Sequence, residues 1–493
     1  MLKLVSTNLK DADYELVIIP VCEDSGIHRD KTVTDLIQKA LSYSEFNGEK
    51  EQSITFYDIK GIMSPRIVLR GLGKFDQIDP ETIRAACGKS VKQANSLKLS
   101  QTAFLVPDNF KKMKMPLLLQ AMMEGAFLAN HKFDKYKQKD QKKSSELHFL
   151  LPAQDVSKFE KLRREVEIIC QSTVLARNWV NTPSNDKFPA RLAELITEHA
   201  KNSKALKIRV LDEKELGAEK FGSILAVAAG SRNPARMLIM EYKPESSANT
   251  VVLIGKGVTY DSGGMNLKTS GSLSDMKVDM AGGAAVAAFM IAAADLRMKG
   301  KNFIGIIPMV ENMISGSAMR AGDVIRGYSG KTIEIGNTDA EGRLILADAI
   351  SYAIETYSPS EIIDLATLTG ACITALGEKI AGVFSSDDRL AESILKAGRK
   401  TGERCWQMPL PDDYRELLDS DIAEINNMPK SRSGGAITAA LFLKEFAGDS
   451  TWAHIDIAGP AFLKKENAYC GSGGTGFGVR LLYELLRGNE NEQ

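Results

Sequence analysis

The stretch TVVLIGKGVTYDSGGMNLKTSGSLSDMKVDMAGGAAVAAFMIAAADLRMKGKNFIGIIPMV, residues 250–310, decides the fold. It opens on a continuous apolar run, 250–255, of the kind a strand buried on both faces carries. A loop with Gly257, Gly263 and Gly264 follows, and these glycines permit sharp turns. The uncharged run 280–294 is too short to cross a bilayer; its Ala and Gly content predicts a tightly packed helix, read over 284–297. A second apolar strand comes at 302–310. Working outward, 208–211, 237–242, 332–336 and 361–365 read as further strands and 344–356 as another helix. That alternation predicts a mostly parallel central sheet covered by helices on both faces, with its site at the carboxyl ends of the strands.

Toward the N-terminus, short β-branched runs at 15–21, 65–70 and 102–106 enclose a helical pattern at 80–96, and a closing strand is expected at 146–151. The chain of 493 residues exceeds what one core usually serves. The expected organisation is α/β throughout: a small N-terminal α/β domain (1–152), a linker helix (153–182, helical period over 156–180) and a larger C-terminal α/β domain (183–493). Pro183 in NTPSN, 181–185, ends the helix.

Acidic and basic residues balance, 63 against 63, so no overall field draws the protein to nucleic acid or an anionic membrane. A local run, Lys132, Lys135, Lys137, Lys139, Lys142 and Lys143, reads as a solvated loop in preference to a nucleic-acid patch. Six cysteines (Cys22, Cys87, Cys170, Cys372, Cys405, Cys470) without CxxC spacing suit reduced thiols. Residues 1–14 carry charges and no apolar core, so neither a secretory signal nor a membrane span is expected, and the cytoplasm is.

Two segments place clustered ionisable groups just after a strand. In 252–280 these are Lys256, Asp261, Lys268, Asp275, Lys277 and Asp279; in IGNTDAEGRLIL, 335–346, they are Asp339, Glu341 and Arg343. Residues two apart in extended chain share a side, so Asp339, Glu341 and Arg343 are expected to face one cavity. Such residues also cap turns or form plain ion pairs, but several carboxylates in one crevice call for cations, and metal ions are the natural ones. After His199 the only histidine is His454 and there is no HExxH, so a thermolysin-type site is excluded; His454 reads as a core histidine. The ligands must be oxygens, with a lysine nitrogen as the one addition.

The octapeptide NTDAEGRL, 337–344, resembles the signature of the leucyl aminopeptidase family, the cytosolic di-metal aminopeptidases. GKGVTYD (255–261), Leu267 with Lys268, MKVDM (276–280), DLATLTGA (364–371), GAITAALFL (435–443) and WAHIDIAG (452–459) resemble further family blocks in order, and NWVNTPSN (178–185) its domain junction. The likeness is strong over 176–480 and weak before. Thr269 stands where many members have proline and Tyr260 where others have phenylalanine, and neither is an expected ligand.

The resemblance implies two divalent ions per subunit, Mn or Zn, with Asp261 and Glu341 bridging them. It gives Asp339 to the tighter-held ion, and Lys256, as a neutral amine, with Asp279 to the more exchangeable one. Lys268 would stabilise the oxyanion formed when an activated water attacks, and Arg343 would hold a bicarbonate general base. Met276, Thr367, Gly370, Ala458 and Ala461 would line an apolar pocket for the first side chain. The implied activity is release of N-terminal leucine and other apolar residues from peptides, rising toward mildly alkaline pH, by a homohexamer. A DNA-binding or regulatory role of the same fold, or a narrow dipeptidase acting on Cys-Gly, is the alternative.

Overall fold

The computed structural model describes residues 1–138, 144–245, 249–269, 271–431 and 433–488. The chain divides into two compact units, Met1–Gln171 with Lys465–Ser472, and Ser172–Lys464 with Gly473–Gln493.

The first unit is built on a six-stranded sheet in the order Leu2–Ser6, Glu146–Leu151, Gln101–Leu105, Leu16–Val21, Arg66–Gly71, Ser53–Tyr57. Five strands run parallel and Ser53–Tyr57 runs against its neighbour. Its core is the apolar strand faces (Val17, Ile19, Ile67, Leu69, Leu150) closed by Val33 and Leu36 of the helix Lys31–Leu41. The helix Pro80–Ser96 occupies the expected span, started by the Asp79 side chain accepting Thr82 N–H and by Pro80 in the first turn. Lys132, Lys135 and Lys137 are exposed on irregular chain, while Lys139, Lys142 and Lys143 lie outside the described residues.

The expected helix over 156–180 is two, Ala153–Lys158 and Glu160–Asn181, followed by a 3₁₀ turn at Ser184–Asp186 just after Pro183.

The second unit has a nine-stranded sheet. Its centre, Trp452–Asp456, Glu361–Ala366, Thr250–Gly255 and Asn302–Asn312, is parallel. Its margins are not: Arg236–Tyr242 and Leu206–Leu211 continue antiparallel beyond Asn302–Asn312, and Ala381–Ser385 is antiparallel to Trp452–Asp456. The strand expected over 332–336 is shorter, Thr332–Glu334, and lies outside this sheet, in a three-stranded one with Val324–Arg326 and Ile425–Asn426.

The helix Ala281–Leu296 packs on the central strands with residues 281–294 all buried. Small residues make that approach possible: a Cβ on Gly282 would stand 2.0 Å from the Leu365 carbonyl oxygen, and one on Gly255 2.5 Å from Gly283 Cα. Residues 273–296 are long and apolar enough to cross a membrane, but 89% of that window is buried, as in a core helix.

Candidate metal centre

Three backbone features converge at the carboxyl end of Thr250–Gly255. Lys256 is the first residue past that strand, and the next strand, Gly257–Asp261, ends on Asp261. The 3₁₀ turn Leu273–Val278 delivers Asp279 just ahead of the buried helix. The helix Glu341–Tyr357 presents Glu341 and Arg343 from its first turn, with Asp339 two residues before it. The extended reading of 339–343 is therefore corrected: the backbone turns helical at Glu341, and Glu341 reaches the cluster from a helix end. Gly342 permits this, since a Cβ there would lie 2.7 Å from Lys256 Nζ.

Thr338, fully buried, stitches the two loops together. Its hydroxyl donates to the Gly263 carbonyl (2.6 Å) and accepts Asn266 N–H (2.8 Å), while its own N–H donates to Asn266 Oδ1 (2.9 Å). Gly263 has φ +88°, and a Cβ on it would come 2.8 Å from Asp339 Oδ1.

Asp261, Asp279 and Glu341 each offer an oxygen within 4.8 Å of the others, and all three are buried. Lys256 Nζ lies 2.9 Å from Asp279 Oδ1 and 2.8 Å from Glu341 Oε1, and donates to the Thr367 carbonyl at 3.0 Å. Lys268 Nζ lies 2.6 Å from both Asp261 Oδ2 and Asp339 Oδ1. Burial, followed by the charge of Asp261, pushes the Glu341 carboxyl up to about 8. Burial takes Asp279 to about 6 against the pull of Lys256, and raises Asp339 as well. Burial works against the Lys256 ammonium, but Asp279, Glu341 and Asp261 together hold its pKa above the ordinary lysine value. Lys268 behaves alike. Among the chain's own charges, then, Lys256 is an ammonium; the neutral amine expected from the sequence needs added cations beside it.

The donor set fits divalent cations. Four carboxylates face two lysines, and among the described residues Asp279 Oδ2 and Glu341 Oε2 have neither hydrogen bond nor ion pair. Buried carboxylate oxygens left bare are costly, and hard cations with oxygen ligands remove that cost.

Arg343 is buried, donates from Nη1 to the Asn427 carbonyl (2.7 Å), and leaves Nε without a partner. Burial lowers its guanidinium to about 10, opposed by Glu341 and Asp456. Of the expected pocket residues, Thr367 donates its hydroxyl to Asp279 Oδ1 (2.7 Å), and Met276 sits half-buried in the turn that ends at Asp279. Gly370 is exposed at the start of the helix Gly370–Leu376, Ala458 is half-buried and Ala461 buried. Asp456 ties the loop after Glu361–Ala366 to 456–458, accepting Leu368 N–H (3.2 Å), Thr369 Oγ1–H (2.7 Å) and Ala458 N–H (3.1 Å).

Sequence reasoning missed the supporting amides. Asn312 donates from Nδ2 to Asp261 Oδ1 (2.9 Å) and to the Thr338 carbonyl (3.0 Å). Asn427 accepts Gly336 and Asn337 N–H on Oδ1 and returns Nδ2–H to the Asn337 carbonyl. The strand expected over 302–310 carries on to Asn312 in the structure.

Comparison with known proteins gives the family. Residues 174–483 match the model described as "Cytosol aminopeptidase family, catalytic domain", and 22–140 match that family's N-terminal domain. The chain belongs to the cytosol aminopeptidase family. Its class of activity follows: metal-dependent hydrolysis at the N-terminus of peptides. Relatives named probable cytosol aminopeptidase include those of Chlorobium phaeobacteroides (42% identical, 99% of each chain covered) and Cenarchaeum symbiosum (40%, 92% of each). Among solved structures, the bottromycin maturation enzyme BotP in complex with Mn is similar, with TM-score 0.85, 32% identity and coverage of 96% of this chain and 99% of that one.

Proposed function

We propose that the cluster holds two divalent cations, manganese or zinc, and releases N-terminal leucine and other apolar residues from peptides. The observation that carries this reading is the set of buried carboxylates with bare oxygens beside Lys268. Asp261 and Glu341 would be shared between the cations, Asp339 would serve the tighter one, and Lys256 and Asp279 the looser one. When bound, the cations supply Lewis acidity that lowers the pKa of water toward neutrality, and a bicarbonate at Arg343 supplies a base.

The chain's own groups do the rest. Lys268 is held as a cation, so it can polarise the scissile carbonyl and stabilise the negative charge that develops on its oxygen. Arg343, anchored to the Asn427 carbonyl with Nε left over, can hold an anion at a helix N-terminus. Thr367 fixes the Asp279 carboxylate through its hydroxyl. Met276, Thr367, Gly370, Ala458 and Ala461 would receive the first side chain. A homohexamer acting in the cytoplasm completes the proposal.

The test is hydrolysis of a leucine anilide at mildly alkaline pH, before and after chelation and manganese return, beside Asp339→Ala. Activity that follows metal and vanishes in a folded variant supports the assignment. A metal-loaded wild type inert on the anilide and on a peptide panel including Cys-Gly overturns it.

A further inference from the structure

A further feature able to take a ligand lies in the first unit. A cavity of about 470 Å³ opens at the carboxyl ends of three adjacent parallel strands, Leu2–Ser6, Glu146–Leu151 and Gln101–Leu105. That is the place where open parallel sheets bind ligands, and the volume suits a small molecule. Its floor is apolar and buried, made by Leu9, Val33, Val106 and Leu150.

The charged groups around the floor are of one kind, beside the uncharged Ser6, Thr7 and Asn8. Asp11, Asp30 and Asp108 stand at the rim, and among the described residues the lining contains no lysine or arginine. Each carboxylate is fixed through one oxygen: Asp30 Oδ1 accepts Val33 N–H (3.1 Å), Asp108 Oδ1 accepts Arg29 N–H (3.0 Å) and Asp11 Oδ2 accepts Asn8 Nδ2–H (2.6 Å). The second oxygen of each has no hydrogen-bond partner among the described residues.

His28 is the buried polar side chain of the cavity, 7% exposed. Its Nε2 is 2.8 Å from the Pro20 carbonyl oxygen, which can only accept, so Nε2 carries the proton. In the neutral ring Nδ1 is then a lone pair, and it has no partner among the described residues. Burial keeps the ring neutral by lowering its pKa, although Asp108 and Asp30 pull the other way.

We infer that this cavity binds a small organic cation, a primary amine on a short apolar body, through His28 Nδ1 and the free oxygens of Asp11, Asp30 and Asp108. The chemistry selects the class. Beside the Ser6 and Thr7 hydroxyls, which can accept as well, the His28 Nδ1 lone pair and the free carboxylate oxygens only accept, so they call for a donating ligand, and the carboxylates favour a positive charge. The same groups repel phosphate and carboxylate, which argues against nucleotides and against free amino acids. This site is independent of the aminopeptidase reading.

The test is titration calorimetry of the full metal-loaded chain with 3-methylbutylamine, with 3-methylbutanol and AMP as the uncharged and anionic comparisons. Asp11→Asn and Asp108→Asn are run alongside, both positions being exposed and outside the catalytic machinery. The expected result is saturable binding of the amine with no detectable binding of the alcohol or AMP. Each variant should weaken the amine about tenfold, the weight of one charge-assisted hydrogen bond, with leucine anilide hydrolysis unchanged. An amine that fails to bind the wild type overturns the inference. So does binding that both variants leave undiminished, which would place the amine elsewhere, or AMP binding in preference to it.

Discussion

Buried carboxylates occur in two settings within the second unit, and the contrast separates what holds the fold from what awaits a partner. Asp348 accepts backbone N–H groups from Ser223 (2.9 Å), Ile224 (3.1 Å) and Tyr328 (2.8 Å). Asp364 accepts Trp452 Nε1–H on one oxygen (2.8 Å) and meets His454 Nδ1 on the other (2.5 Å). Every oxygen of these two has a partner supplied by the chain. Glu341 and Asp279, equally buried, each keep an oxygen that nothing in the described chain satisfies. Burial alone does not mark a functional carboxylate; burial with a bare oxygen beside other carboxylates does.

The largest effect should come from Glu341→Ala. It removes a carboxylate proposed to touch both cations, so hydrolysis of the leucine anilide should fall by about three orders of magnitude or more. Thermal stability of the chelated protein should fall little, because Lys256 keeps Asp279 and the Thr367 carbonyl as partners and the other Glu341 oxygen is bare. A variant that keeps activity, or one that unfolds, would break the contrast at its most important point.

Asp364→Ala should do the reverse. Losing one member of a buried pair costs about 3–5 kcal/mol, read as a lowered denaturation midpoint, while activity per folded molecule should persist. The loss carries a pH signature. Burial opposes charge on His454, but Asp364 outweighs it and raises the imidazole above its ordinary value of about 6.5. Stability from a raised histidine is complete below the unfolded pKa and fades as pH rises through the folded one. The gap between wild type and variant should therefore be widest below about pH 6.5 and narrow above it. A gap that widens with pH would show that His454 is neutral in the fold.

Between these extremes stands Lys268→Met, which keeps the stem and removes the charge. It should reduce kcat by about a hundredfold to a thousandfold with a smaller change in KM, because the charge it stabilises exists in the transition state. Equal loss in kcat and metal content would assign Lys268 to holding Asp261 and Asp339 instead.

The sequence made half of this contrast legible. Asp261, Asp279, Asp339 and Glu341 announced themselves as acidic residues crowded after apolar runs, and the structure brings them to one strand end. Their supports did not. Asn312 meets Asp261 across 51 positions and Asn427 meets Asn337 across 90, and an asparagine in isolation reads as a turn residue. Strand direction was equally silent: Arg236–Tyr242 carries the same kind of apolar run as the parallel strands at the centre of the sheet, and hydrophobic pattern does not encode which way a strand runs. The helical start at Glu341 depends on Gly342 fitting against Lys256, a contact between residues 86 apart that no local period reveals.

The smallest effect is the most discriminating, because it falls on a group that belongs to both settings. Thr367 donates its hydroxyl to Asp279 while its carbonyl accepts from Lys256, so it satisfies one oxygen of a carboxylate whose other oxygen is bare. Thr367→Val keeps shape and backbone and removes only the hydroxyl. If that hydroxyl orients Asp279 for a cation, manganese retention at the looser site should weaken about tenfold to a hundredfold, measured as metal bound after dialysis. At saturating manganese kcat should return close to wild type, since no group facing the scissile bond has changed, and any remaining effect should fall on KM through the pocket that Thr367 is proposed to line. Should retention hold while the denaturation midpoint drops, the hydroxyl serves the fold, and Asp279 belongs with Asp348 and Asp364.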